Sequence, residues 1–159
     1  MEMRLRRETE VAIAILVDCA RAEGGLVKTA KAAQAANTTT DFAAHVALKL
    51  VNAGLVEARR GRRGGLTLKQ RADRLLLGHV IALMQREFDD AVTCSDEDPV
   101  SRLAGIMAGT SRTMRIYLDQ FSIADIADED QQIRADDVMS RKPSEREHLK
   151  AGPSIAASI

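Results

Sequence analysis

The feature that most constrains the fold is two short helix patterns followed at once by a glycine- and arginine-rich hairpin pattern. An Ala-rich stretch follows Thr29, a second helix pattern follows Thr39, and about three residues around Asn37 separate the two. Thr29 and Thr39 are the predicted N-caps, and Gly54 is expected to end the second helix. Two helices joined by so short a turn predict a helix-turn-helix, with a plain helical hairpin as the alternative.

The segment after the second helix alternates like two short strands around a basic turn. Residues 55–58 and 66–68 are the predicted strands, and the turn between them is rich in Arg and Gly. Glycines allow a tight backbone, and arginines can reach phosphates or a minor groove. The pattern predicts a wing, with a solvated hairpin tip as the alternative. Its predicted DNA-binding residues are Arg59, Arg60, Arg62, Arg63, Gly64 and Gly65.

The second helix of the pair is expected to meet base edges with its N-terminal turns. Hydroxyl and imidazole groups can bond to base edges, and Phe42 can contact a thymine methyl, with packing under the turn as the alternative for Phe42. Lys49 and Arg4, like the wing arginines, are expected to hold phosphates. The predicted recognition residues of this helix are Thr39, Asp41, Phe42 and His45.

A long helix pattern in the second half of the chain carries a heptad repeat. Asp98 is the predicted N-cap, and Pro99 suits the first helical position. Side chains then recur at spacings of three and four residues over about three repeats, as in paired helices. Such a stripe is expected to form a homodimer, with packing on its own domain as the alternative. Its residues are Val100, Leu103, Met107, Thr110, Met114, Tyr117 and Phe121.

Charge is divided unevenly along the chain. Residues 1–86 hold 15 Lys and Arg against 8 Asp and Glu, and residues 87–159 hold 8 against 15. A basic half followed by an acidic half predicts a nucleic-acid-binding unit joined to a part that does not touch nucleic acid. We therefore predict a DNA-binding domain at 1–86, an acidic loop at 87–98, a dimerisation helix with a closing segment at 99–127, and a mostly disordered tail at 128–159.

The predicted fold class is mainly α with a small β-hairpin wing, that is, a winged helix-turn-helix plus a long dimerisation helix. Aromatic residues are 3% of the chain, so Ala, Leu, Ile and Val must build the core, with an apolar first helix at 8–22 buried on most sides. No apolar run approaches the roughly 20 residues of a membrane span. With no signal-peptide pattern either, a cytoplasmic location is expected.

These patterns predict a sequence-specific regulator that binds double-stranded DNA as a homodimer and acts as a repressor. A winged-helix scaffold that binds proteins and has no operator is the alternative of another class. An enzyme is not expected, because no nucleophile–base pair, phosphate-binding loop or metal-spacing cluster is recognisable in the sequence.

Five short motifs between residues 3 and 127 agree with a known family. They are Met3-Arg4-Leu5, Ala53-Gly54-Leu55-Val56, Arg60-Gly61 with Gly64-Gly65, Leu77-Gly78-His79-Val80, and Ser122-Ile123-Ala124-Asp125-Ile126. Together they resemble the Rrf2 family, which includes regulators of iron–sulfur, nitric oxide and iron responses. The resemblance implies a dimeric winged-helix repressor with a long dimerisation helix.

The resemblance also bears on a cofactor. Cluster-binding members carry three cysteines before and at the start of the dimerisation helix, and some add an acidic ligand on the first helix. Here Cys94 matches the first cysteine and Glu10 the acidic position, Ser101 stands near the last cysteine, and the middle one has no counterpart. One thiolate and one carboxylate per subunit are too few for an iron–sulfur cluster, so no cofactor is expected.

The alternative is an iron–sulfur or thiol-based sensor that uses Cys94. A reactive thiol needs positive neighbours, whereas Ser95-Asp96-Glu97-Asp98 places negative charge directly after Cys94. The same carboxylates have the chemistry to hold a hard divalent cation, although a solvated loop is the simpler interpretation.

Overall fold

The computed structural model describes residues 5–85 and 99–128. The predicted acidic loop at 87–98 with Cys94 and Asp98, the predicted phosphate contact Arg4, and all but residue 128 of the predicted tail lie outside the described residues. In chain order the elements are α1 (Arg7–Arg21), α2 (Thr29–Ala35), α3 (Thr40–Asn52), β1 (Val56–Arg59), β2 (Gly65–Leu68), a 3₁₀ turn (Ala72–Arg74), α4 (Leu77–Met84), α5 (Pro99–Leu118) and α6 (Ile123–Ala127).

Helix α1 is the centre of the core. Apolar residues occupy more than one side of it, and Val11, Ile15 and Leu16 are fully buried. Helices α2, α3, α4 and α6 and strand β2 all pack against it. The prediction of a first helix buried on most sides is therefore confirmed.

Helices α2 and α3 form the predicted helix-turn-helix. The Thr39 hydroxyl accepts a hydrogen bond from the Phe42 backbone N–H at 3.2 Å, so Thr39 is the N-cap of α3 as predicted. The predicted cap at Thr29 is wrong, because the extended backbone continues through Lys28 and Thr29 is already the first helical residue of α2. Asn37, which has a positive φ of 48°, lies in the turn between the helices.

The residues after α5 return the chain to the core around α1. The Leu77 N–H donates to the Phe121 carbonyl and the Ile123 N–H donates to the Leu75 carbonyl, each at 2.8 Å. Ser122 and Asp125 then form a capping box that starts α6. Ile123 is fully buried, so the closing segment packs with the first domain, although the predicted division of the chain grouped it with the dimerisation helix.

Helix α5, the longest described helix, ends earlier than the heptad pattern predicts. Its last residue is Leu118, and Phe121 lies beyond it, buried in the core of its own chain. The assignment of Phe121 to the dimerisation stripe is therefore wrong. The spacing of apolar residues continues past Leu118, although the helix itself ends there. No helix among the described residues is both long and apolar enough to cross a membrane.

Candidate nucleic-acid interface

The hairpin predicted as a wing is present, with β1 and β2 paired antiparallel. Arg59 pairs with Gly65, which leaves residues 60–64 as the turn. A side chain on Gly64 would collide with the Arg59 carbonyl oxygen, and a Cβ on Gly65 would lie 2.7 Å from the Val27 carbonyl oxygen. Gly64 and Gly65 are therefore needed for the path of the backbone, and this is their contribution to the wing.

The wing is held against the segment that leads into α2. Val27 and Leu66 exchange two backbone hydrogen bonds, at 2.9 and 2.8 Å. At the tip, the Lys28 ammonium donates to the Arg62 carbonyl at 2.8 Å. The hairpin is thus attached to the start of the helix-turn-helix through β2 near the turn and through the turn itself.

The four predicted wing arginines are all exposed. Arg59 lies 4.0 Å from the Glu57 carboxylate, and since both side chains are exposed this pair binds the arginine only weakly. Within the described part of the chain, no carboxylate lies within ion-pair distance of Arg60, Arg62 or Arg63. The tip is therefore a compact positive surface that can receive a polyanion.

Helix α3 has a buried side that faces the core and an exposed side that faces outward. Ala43, Val46, Ala47 and Leu50 are buried. Phe42 is half-buried and packs against the core, so the structure favours the packing interpretation of this residue. The exposed residues of α3 are Thr40, Asp41, Ala44, His45, Leu48, Lys49 and Asn52.

The sequence analysis named Asp41, His45 and Lys49 among these exposed residues, but it missed Thr40, Leu48 and Asn52. The helical spacing of the buried residues was the available signal, because positions between them must point outward. Thr39 is exposed, with its hydroxyl already accepting the capping hydrogen bond.

A carboxylate on α1 lies close to Lys49 and His45 of α3. The Lys49 ammonium lies 2.5 Å from the Glu8 carboxylate, and the His45 ring Nε2 lies 3.8 Å from the same oxygen. Glu8 is mostly buried, with 22% of its side chain exposed, so solvent screens it less than a surface carboxylate. Glu8 therefore competes with phosphate for Lys49.

The first turn of α1 also holds the turn of the helix-turn-helix. The Arg7 guanidinium donates to the Ala36 and Asn37 carbonyls, each at 2.6 Å, and pairs with the Glu10 carboxylate at 3.0 Å. Glu10, the candidate metal ligand, is thus engaged in an ion pair. Among the described residues, no group of three His, Cys, Asp or Glu is placed to hold a metal ion.

Cys19 is buried in α1, with its thiol 3.7 Å from the Leu66 carbonyl. Burial, with a smaller contribution from the Asp18 carboxylate, raises the pKa of the Cys19 thiol to about 11. The thiol is therefore protonated near neutral pH and behaves as a core side chain.

Helix α5 presents an apolar stripe to solvent. None of its residues is buried, and Leu103 and Ile106 are 58% and 67% exposed. The stripe includes the predicted Val100, Leu103, Met107 and Tyr117 and is widened by Ile106. An open groove of about 680 Å³ overlaps the stripe and is lined by Ile106, Gly109, Thr110, Thr113, Met114 and Tyr117. An exposed apolar surface of this length is typical of an interaction site.

A helix-turn-helix that is followed by an arginine-rich wing, with the wing attached to the start of the motif and β1 packed against α3, defines the chain as a winged-helix DNA-binding protein. Residues 5–129 match the Rrf2 family, described as iron-dependent transcriptional regulators, and the chain belongs to this family. It is accordingly a DNA-binding transcriptional regulator.

Characterised relatives agree with this assignment. The chain is 28% identical to the transcriptional repressor NsrR of Streptomyces coelicolor, over 78% of this chain and 88% of the relative. It is 25% identical to the regulator CymR of Bacillus subtilis, over 79% of this chain and 90% of the relative.

The solved structure of B. subtilis CymR, described as the global cysteine regulator, matches with a TM-score of 0.65 at 23% identity, over 79% of this chain and 97% of that one. The structure of T. potens IscR matches with a TM-score of 0.66 at 19% identity, over 84% and 95%. The structural matches confirm the predicted fold class.

Proposed function

We propose that the protein is a homodimeric repressor that binds a double-stranded operator through α3 and the wing and carries no iron–sulfur cluster. The observation that carries this proposal is the wing, which bears exposed arginines, is attached by Val27 and Lys28 to the segment before α2, and packs against α3 through β1. Phosphate contacts from such a tip position the protein, and α3 reads bases in the major groove. Repression is supported by the relative named a transcriptional repressor, NsrR.

Selection of binding sites from random DNA tests this function. We expect enrichment of a sequence with two related half-sites, because a twofold-symmetric dimer places two recognition helices on the duplex. A reporter placed downstream of the selected site should be expressed less when the protein is present. Absence of any enriched sequence would contradict operator binding and favour the protein-interaction scaffold.

The homodimer is supported by the exposed stripe of α5. Leu103, Ile106 and Met107 would bury their apolar surface against a second copy, and burial of such side chains is the main favourable contribution to association. A helix paired with its own copy needs apolar side chains at spacings of three and four, which the stripe provides.

The absence of a cluster is proposed from the ligands that the chain offers. It has two cysteines, and one of them, Cys19, is a buried core residue. That leaves Cys94 and the ion-paired Glu10, fewer soft ligands than an iron–sulfur cluster requires. The residues present do not fit the group.

Protein purified without oxygen is accordingly expected to be colourless, and Cys94→Ala is expected to bind operator DNA as the unaltered protein does. Visible absorption, iron and sulfide analysis, and a binding titration measure this. Stoichiometric iron and sulfide, with a visible band lost in Cys94→Ala, would refute the proposal and restore the sensor alternative.

Glu8→Gln is expected to tighten binding to DNA of any sequence severalfold. The substitution removes the carboxylate that holds Lys49, so the ammonium becomes available to a phosphate. Each added phosphate contact should steepen the dependence of log affinity on log salt by about 0.9. Fluorescence anisotropy of labelled duplexes over a salt series measures both quantities.

Glu10→Gln is the matched control. It makes the same change of charge two residues away, but Glu10 pairs with Arg7 and not with Lys49. Equal effects of the two substitutions would show that total charge, and not release of Lys49, is responsible.

A further inference from the structure

The outward face of α3 has an apolar patch at its centre. Leu48 is 57% exposed, and Ala44, one turn before it, is exposed as well. Helices α2 and α3 lie wholly within the described residues, and Leu48 is the one large apolar side chain that they expose. Asp41 and Asn52 continue this face on either side of the patch.

The chemistry of this patch limits what it can recognise in a major groove. Guanine is read by Arg or Lys and adenine by Asn or Gln, through paired hydrogen bonds that Ala44 and Leu48 cannot form. The major-groove feature that an apolar side chain does recognise is the 5-methyl group of thymine. We infer that Leu48, with Ala44, forms a thymine-methyl contact, so that each operator half-site carries a thymine opposite the middle of α3.

The charges around the patch favour DNA as its occupant. Strand β1 follows α3 closely and packs against it, and it leads into the arginine tip of the wing. A major groove supplies a methyl group to Leu48 and phosphates to Arg60, Arg62 and Arg63. An apolar protein partner would leave these arginines without anions. The inference rests on the proposed operator binding and adds the base that α3 reads.

The test removes the methyl group without altering any hydrogen-bonding edge. Operator duplexes from the selection are prepared with single thymines replaced by deoxyuridine and are titrated with the unaltered protein and with Leu48→Ala. For the unaltered protein, deoxyuridine at the contacted position is expected to weaken binding about fourfold, as transfer of one methyl group predicts. For Leu48→Ala the same replacement is expected to have no further effect, because the partner of the methyl is gone.

Leu83→Ala is the control, because Leu83 is also exposed, at 45%, but lies on α4. It should respond to deoxyuridine as the unaltered protein does. Equal sensitivity of Leu48→Ala and the unaltered protein at every thymine would overturn the inference while leaving operator binding intact. Failure to select any operator would overturn both, so the two failures are distinguishable.

Discussion

Replacing Arg60, Arg62 and Arg63 together by alanine is expected to weaken binding to all DNA sequences about a hundredfold or more near 0.1 M salt. The three side chains are exposed, and within the described residues no carboxylate pairs with them. Each phosphate contact releases counterions, so the slope of log affinity against log salt should fall by about 0.9 for every phosphate that the variant no longer binds. Anisotropy titrations at several salt concentrations measure the affinity and the slope together.

A matched triple variant separates position from total charge. Arg71, Arg74 and Arg102 are also exposed and lie outside the wing, so their replacement by alanine removes the same charge. This control should lose much less affinity. If the wing variant keeps its affinity and salt slope, the hairpin is not a DNA contact.

The parts of the fold that were predictable depend on short-range signals. Thr39 caps α3 because a hydroxyl can accept a hydrogen bond from a backbone N–H a few residues later, which the local sequence reveals. The hairpin was visible for the same reason, since alternation and glycines mark both strands and the turn. The sequence did not show that β1 begins at Val56, one residue later than predicted.

The parts that were missed depend on contacts between distant residues. Glu8 and Lys49 are far apart in the chain and meet only because α1 and α3 pack together, so no local pattern links them. Leu48 could be placed only once the buried side of α3 was known. Phe121 continued the heptad spacing because nothing between it and Leu118 breaks a helix, yet the backbone turns there to bond with the start of α4.

The double substitution Leu103→Asp with Met114→Asp is expected to convert the dimer to monomers. Leu103 is exposed in the single chain and Met114 lines the open groove, so both carboxylates are hydrated in the monomer and its fold should persist. In a dimer the two carboxylates would lose their hydration without gaining an ion-pair partner. Burial of such an unpaired charge costs on the order of several kcal/mol for each ion. Sedimentation velocity measures the mass, and circular dichroism checks the fold.

The swap Leu103→Met with Met114→Leu is the control for the dimer test. It alters the same positions but keeps their volume and apolar character, which interfaces tolerate with little loss of stability. The swap should sediment as a dimer. A dimer that persists in the aspartate variant would mean that the stripe on α5 is not the principal interface.

The attachment of the wing to the residues before α2 has a consequence for control of the protein. Val27 pairs with β2, Lys28 contacts the turn of the hairpin, and β1 packs against α3, so a movement of the wing relative to α3 would have to break these contacts. A signal that alters DNA affinity then has little scope to swing the wing away from the recognition helix. In a homodimer, the adjustable coordinate is the separation and tilt of the two winged-helix domains. DNA binding is then lost when the spacing of the two recognition helices in the dimer no longer matches the helical repeat of the DNA.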